Sequence, residues 1–475
     1  MGCPAAEGRP EEENSVNDGQ AVLHRNATHF ITDLRYEDIP DDVVARIKDH
    51  LLDTIGIAIV ASRAVASRIA RDTAFGLFGA GAAAPSARML FDGRRCSVAG
   101  AAFAGAMQID SYDCHDGYPP SKGHIGVVAL PSLSAFAQGI EGHNGGKLSG
   151  RDALAALVML YEVAGRCGSS LHASVPEHHV SGAWNAIGVA ALGARLLGLD
   201  HERLRHALGI AEFHGPRGLV MRVIANPTML NDGSGWGCMS GITAAYLAQQ
   251  GFTGAPATTL EVRDAASHWA DLSSRWLLRE QYIKPYPVCR WAHPLIDAAL
   301  RIGSENAFTP EDITAIEIAT FATSAALYRG MPQNTSMAQL SLSFPVAAAL
   351  ARGRVGPDEV LGSGLNDPKL QRLVGLTGIR ADETYCALYP KQQCGDVTVV
   401  LSDGRRITSG PSRARGGPDA PLSEAELVTK FSSHANDLLG VERATAIRQA
   451  VQDLDRPDAR FDNLQQLLLA PIPPV

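Results

Sequence analysis

Apolar residues at Val44, Ile47, Leu51, Leu52, Ile55 and Ile59 recur at three- and four-residue intervals, which predicts a core-facing helix over 41–60. The same periodicity predicts helices over 100–109, 127–140, 153–164, 186–197, 202–210 and 241–249, each bounded by Gly, Pro or Asp. Most of the chain up to about Ser274 therefore reads as helix. Beyond it the texture changes. Ile313, Ala315, Glu317, Ile318 and Thr320 form a strand-like stretch, and a second, 397–401, runs into Ser402-Asp403-Gly404, a hairpin turn signal. Helical spacing resumes between them at 340–351, and again beyond Pro421 at 424–431 and 442–454. The expected fold is mainly α. A large all-helical domain is formed by the N- and C-terminal segments, 21–274 and 408–475, with a smaller α+β lid domain, 275–407, inserted between them.

A chain of 475 residues is too long for one ordinary core, which supports this division. With 45% hydrophobic and 19% charged residues the composition is that of a globular protein, and a net charge of −8 argues against nonspecific binding to nucleic acid or to an anionic membrane. Apolar runs such as 55–61 and 154–160 are far shorter than the roughly 20 residues of a membrane span. Met1 to Gln20 are polar and lack the apolar centre of an export signal, so a disordered tail and a cytoplasmic location are expected. The eight cysteines contain no C-x-x-C pair, which disfavours a disulfide framework, zinc or an iron–sulfur cluster.

The densest chemistry lies in Asp110 to His124. Fifteen residues hold Asp110, Asp113, Asp116, His115, His124, Cys114 and Lys122, and the segment runs directly into a helical pattern. His124 is thus expected at a helix N-terminus, where anions bind. Asp110 and Asp113 fall three apart and can share one wall, and a carboxylate facing an imidazole in a dry pocket can act as an acid–base pair. A second cluster, Glu177-His178-His179, also precedes a helix. Adjacent histidines point differently, so one of them should face a pocket, and they lack the i, i+4 spacing of a metal site, so no metal is expected. The glycines of Asn231 to Gly237 suit close backbone approach rather than phosphate binding, since the Gly-Lys-Ser/Thr ending is missing. At the domain junction, Lys284, Cys289, Arg290 and His293 provide cations and small polar groups suited to a substrate with carboxylates.

Taken together these elements resemble the MmgE/PrpD family, whose members include 2-methylcitrate dehydratase, cis-aconitate decarboxylase and iminodisuccinate epimerase. The resemblance rests on Asp110 to Pro131, on Ala-Arg-Leu-Leu-Gly-Leu-Asp200, on Gly251-Phe-Thr-Gly-Ala-Pro256, on Lys284-Pro-Tyr-Pro, on Arg352-Gly-Arg-Val-Gly356 and on Pro421 to Leu427 with Lys430-Phe431. It implies a homodimer and a lyase that needs no cofactor, by preference a hydro-lyase, acting on a small carboxylic acid by α-proton abstraction. Decarboxylation, epimerisation or acid binding without catalysis are the alternatives. Asp110, His124, His179 and Lys284 match the family's motif positions and are the implied catalytic residues. One of Asp110 and His124 is the expected base and His179 the expected proton donor to the leaving group. Cys114, His115, Asn231, Cys289, Arg290 and His293 complete the expected substrate site. The chain also departs from the pattern: Tyr112 replaces an aspartate, Cys114 a threonine and Phe344 a tyrosine, no proline follows His124, and no lysine occurs around Thr228 to Asp232.

Overall fold

In the computed structural model, residues 26–144 and 147–473 are described; the proposed tail, Met1 to Gln20, lies outside them. The protein is mainly α with a small α+β portion, as the periodicity predicts. Each expected helix is present: Asp41–Ala61, Val98–Asp110, Gly126–Asn144, Gly150–Ser174, Gly182–Leu196, His201–His214 and Ser234–Gln249. Their contacts are rich in Ala and Gly, which lets helices approach closely. At Gly237 a β-carbon would lie 2.7 Å from Gly182 Cα, so this crossing of Ser234–Gln249 over Gly182–Leu196 admits only glycine. Helix Gly150–Ser174 is long and apolar enough to cross a membrane by composition, although its uninterrupted apolar runs are short; it is buried along almost its whole length by its neighbours.

The two ends of the chain meet in the helical body. Asp41–Ala61 packs against Glu424–Leu439, with Gly56 under Phe431 and a buried ion pair of 2.6 Å between Lys430 Nζ and Asp53. The sheet has the order Thr377–Ala381, Ile313–Thr320, Cys394–Leu401, Arg406–Thr408. Its first pair is parallel and the others antiparallel. Alternate residues Val397, Val399 and Leu401 are buried, and helix His293–Glu305 covers that sheet while packing on Ser343–Arg352. The turn at Ser402 to Gly404 joins Cys394–Leu401 to Arg406–Thr408, as expected. Ser412–Arg413 also pairs with Cys394–Leu401, past the expected lid boundary at residue 407.

Candidate active site

A cavity of about 330 Å³ lies between the helical body and the α+β portion, and Asp110, Asp113, His124, Asn231, Lys284, Cys289 and Arg290 reach it. Asp110 is the last residue of Val98–Asp110, and its Oδ2 accepts the N–H of Ser234, the first residue of helix Ser234–Gln249, at 3.2 Å. Asn231, held at a left-handed φ of 44°, donates its side-chain amide to the Asp110 backbone carbonyl at 2.7 Å. Burial pushes the Asp110 carboxyl up to about 7, against the opposing pull of the Ser234 N–H. It therefore holds its proton into the neutral range.

His124 sits two residues before helix Gly126–Asn144, as its position in the motif predicts. Its N–H donates to Ser181 Oγ and its carbonyl accepts from Asn185 Nδ2, which fixes the backbone. Nδ1 lies 2.5 Å from the carbonyl of Asp116, an acceptor only, so Nδ1 carries the hydrogen and Nε2 is left with its lone pair. Nε2 faces Asp232 Oδ2 at 3.3 Å. Burial, with the charges of Lys284 and His115, lowers His124 to about 4. The ring is neutral at ordinary pH.

Asp116 anchors this arrangement from behind. Its carboxylate accepts from His50 Nδ1 at 2.9 Å, Tyr161 Oη at 2.5 Å and Gly126 N at 2.9 Å. A β-carbon on Gly126 would strike Tyr161 Oη and Asp116, so the loop closes only with glycine there. Burial disfavours the Asp116 anion, but the His50 and Tyr161 hydrogen bonds prevail and hold it at about 2.

Lys284 is 1% exposed and its ammonium is bonded to the carboxylate of Asp113. The strand-like pairing of Gly117 with Tyr282 brings the two segments together, with backbone bonds of 3.0 and 2.9 Å. Burial opposes both charges, yet their mutual attraction wins: Asp113 is held far below the usual carboxylate range and Lys284 above the usual amine range. Arg290 stacks its guanidinium on the Tyr282 ring at 3.8 Å and donates to the Arg415 carbonyl at 2.9 Å, leaving it without a carboxylate partner among the described residues. Cys289 reaches the cavity, but burial raises its thiol to about 12, so it is no thiolate nucleophile.

Four expected residues fall elsewhere. His179 does not line the cavity; His178 does. The reason is local: residues 178–180 run extended beside 218–220, with Val180 N bonded to Gly218 O and Val220 N to His178 O, and successive side chains of an extended segment point to opposite sides. His178 Nε2 therefore bonds the Lys122 carbonyl at the rim, while His179 Nδ1 is buried away from it. His293 begins helix His293–Glu305 and turns its Nε2 back to the Val288 carbonyl at 3.0 Å. Cys114 lies behind the wall, its Sγ 3.6 Å from the Lys284 carbonyl. His115 also lies behind the wall, its ring centroid 4.4 Å from that of His124 and its Nε2 3.5 Å from Asp110 Oδ1.

Donor atoms of Asp113, His115 and His124 lie within 4.8 Å of one another, a spacing a cation could bridge. Lys284 already supplies positive charge to that Asp113 carboxylate, and a second cation there would be repelled. We therefore do not assign these residues as metal ligands.

The cleft brings together a neutral imidazole, a carboxyl group that holds its proton up to about neutral pH and a buried ammonium, groups whose chemistry is proton transfer beside an anionic group. The chain belongs to the MmgE/PrpD family: its residues 25–273 match the MmgE/PrpD N-terminal domain and residues 286–456 the C-terminal domain. It is similar, at 23% identity over 465 residues, to the cis-aconitate decarboxylase-like protein oryM of Aspergillus oryzae, covering 90% of this chain and 93% of that protein. A cis-aconitate decarboxylase of Aspergillus terreus is 22% identical over 482 residues, covering 94% and 96%.

Proposed function

We propose that this protein is a lyase that works without a cofactor on a small carboxylic acid by way of an enolate-like carbanion. The observation that carries the reading is the fixed tautomer of His124, which leaves Nε2 unprotonated, 3.3 Å from Asp232 Oδ2, on a residue that lines the cavity together with Lys284 and Arg290. In the dehydrating direction Nε2 takes the proton α to a carboxylate, and the electron pair moves into that carboxylate. Lys284 and Arg290 stabilise the charge. The pair then returns to form the carbon–carbon double bond as the β-hydroxyl leaves with a proton from Asp110. This donor role, expected of His179, falls to Asp110 because Asp110 is in the cavity and protonated. The names of its relatives support decarboxylation as the second reading, in which the same carbanion forms by loss of carbon dioxide and is then protonated.

Proton NMR in heavy water with a panel of citrate-like and succinate-like acids tests the proposal. Wild-type protein should introduce deuterium α to a carboxylate or release product, and His124→Asn should slow this by on the order of 10²-fold or more. Tight binding of an acid with no exchange and no turnover would leave a binding protein instead.

We also propose that the working form is a homodimer. Leu77, Leu230 and Trp236 are 75%, 70% and 52% exposed, and Trp236 and Phe78 both pack on Phe103, so Trp236 belongs to an apolar surface that a second subunit would cover. Sedimentation should show a dimer that Trp236→Asp/Leu230→Asp converts to monomer; a wild-type monomer at micromolar concentration would refute this.

A further inference from the structure

The cavity lining is of two kinds: Asp110, Asp113, His124, Asp232 and Lys284 are polar, and Val220, Val223, Ile224, Trp291, Leu340 and Tyr389 are apolar. The apolar lining is built rather than incidental. Val223 and Ile224 are buried on the short helix Val220–Ala225, Trp291 is held by Ser324 Oγ donating to its carbonyl, and the Tyr389 ring stacks on buried Phe321 at 4.6 Å. At about 330 Å³ the space lies in the range of pockets that take small organic ligands.

The charges point the same way. Lys122, Lys284 and Arg290 are the lining cations, Lys284 is already bonded to Asp113, and Lys122 is at the exposed rim. Asp113, held as the anion, adds negative charge to the same wall. A third carboxylate would be buried with no cation to meet it, at a cost of several kcal/mol per unmatched ion.

Resting on the proposed lyase reading, we infer that the substrate is an acid with one or two carboxylates at one end and an apolar arm at the other. The head group lies against Lys284 and Arg290, with its α-carbon under His124 Nε2. The arm, alkyl or aromatic, runs along Val220, Ile224, Trp291 and Tyr389 and excludes water from the reacting end.

The test is a series of 2-substituted succinates, from methyl through butyl and hexyl to benzyl, with citrate and cis-aconitate as the short polyacids. Affinity is read by calorimetry and α-exchange by NMR on the same samples. Binding should tighten roughly fourfold for each methylene buried, equivalent to about 0.8 kcal/mol, until the cavity is full. Val220→Asn and Leu340→Asn, both at half-buried positions, should each flatten the gradient. A gradient without exchange keeps the arm site and removes the lyase reading. Exchange with a flat series, or tightest binding by a tricarboxylate, removes the arm site and keeps the lyase. No binding by any acid overturns both.

Discussion

Lys284→Met should abolish turnover and also lower folding stability by about 3 kcal/mol, whereas Lys284→Met/Asp113→Asn should recover most of the stability and none of the activity. Removing one partner of a buried ion pair leaves the other charge unmatched, which typically costs about 3–5 kcal/mol. The Asp113 side chain keeps 16% of its exposure, through the cavity, so water relieves part of the penalty and the lower end applies. Asparagine at 113 removes the stranded charge but cannot restore an ammonium to the substrate. Denaturant unfolding and the exchange assay on the three variants separate these effects. If the double variant is no more stable than the single one, the pair is not the origin of the loss. If Lys284→Met turns over normally, the ammonium has no part in the chemistry.

That pairing also marks how far the sequence could be read. Asp110, His124 and Lys284 were legible because each stands at a boundary that local pattern announces: a helix end, a helix start and a proline-framed segment. Asp113 stood in plain view inside the same motif, but its importance depends on a partner 171 positions away. Asp232 and Asp116 were passed over for the same reason, since the first matters through His124 Nε2 and the second through His50, Tyr161 and the His124 tautomer. No one-dimensional spacing encodes those contacts.

That His178 rather than the expected His179 lines the cavity has a different cause. The motif correctly marked the pair, and the expectation that one of the two faces a pocket holds, but which one is decided by the bridge of His179 to Leu219. That segment lies forty residues away and shows no strand pattern of its own. In the fold, long helices were visible because an apolar stripe repeated over several turns outweighs local noise. The three-residue strands Ser86–Arg88 and Arg95–Ser97 are too short to display alternation within a stretch whose pattern is otherwise helical. Strand Thr377–Ala381, largely exposed and carrying Gly378 and Arg380, has no alternating apolar face to see.

The pH dependence follows from the two groups that share the cavity. His124, lowered to about 4 chiefly by burial, must be unprotonated to accept a proton, so activity is lost as pH falls through that value. Asp110, raised to about 7 by burial, must be protonated to donate, so activity is lost as pH rises through that value. The profile of kcat/KM should therefore be a bell with its plateau between these limits, mildly acidic rather than neutral. The order of the two values is what makes the site competent: were Asp110 an ordinary aspartate, acid and base would seldom be in the right forms together. Asp110→Asn removes the donor while keeping an acceptor for the Ser234 N–H. It should lower kcat by about 10²–10⁴-fold, and the residual activity should run level through pH 7 and above. An alkaline limb that survives in Asp110→Asn would assign the proton donor to another residue, and Asp232, also raised by burial and 3.3 Å from His124 Nε2, would be the one to replace next.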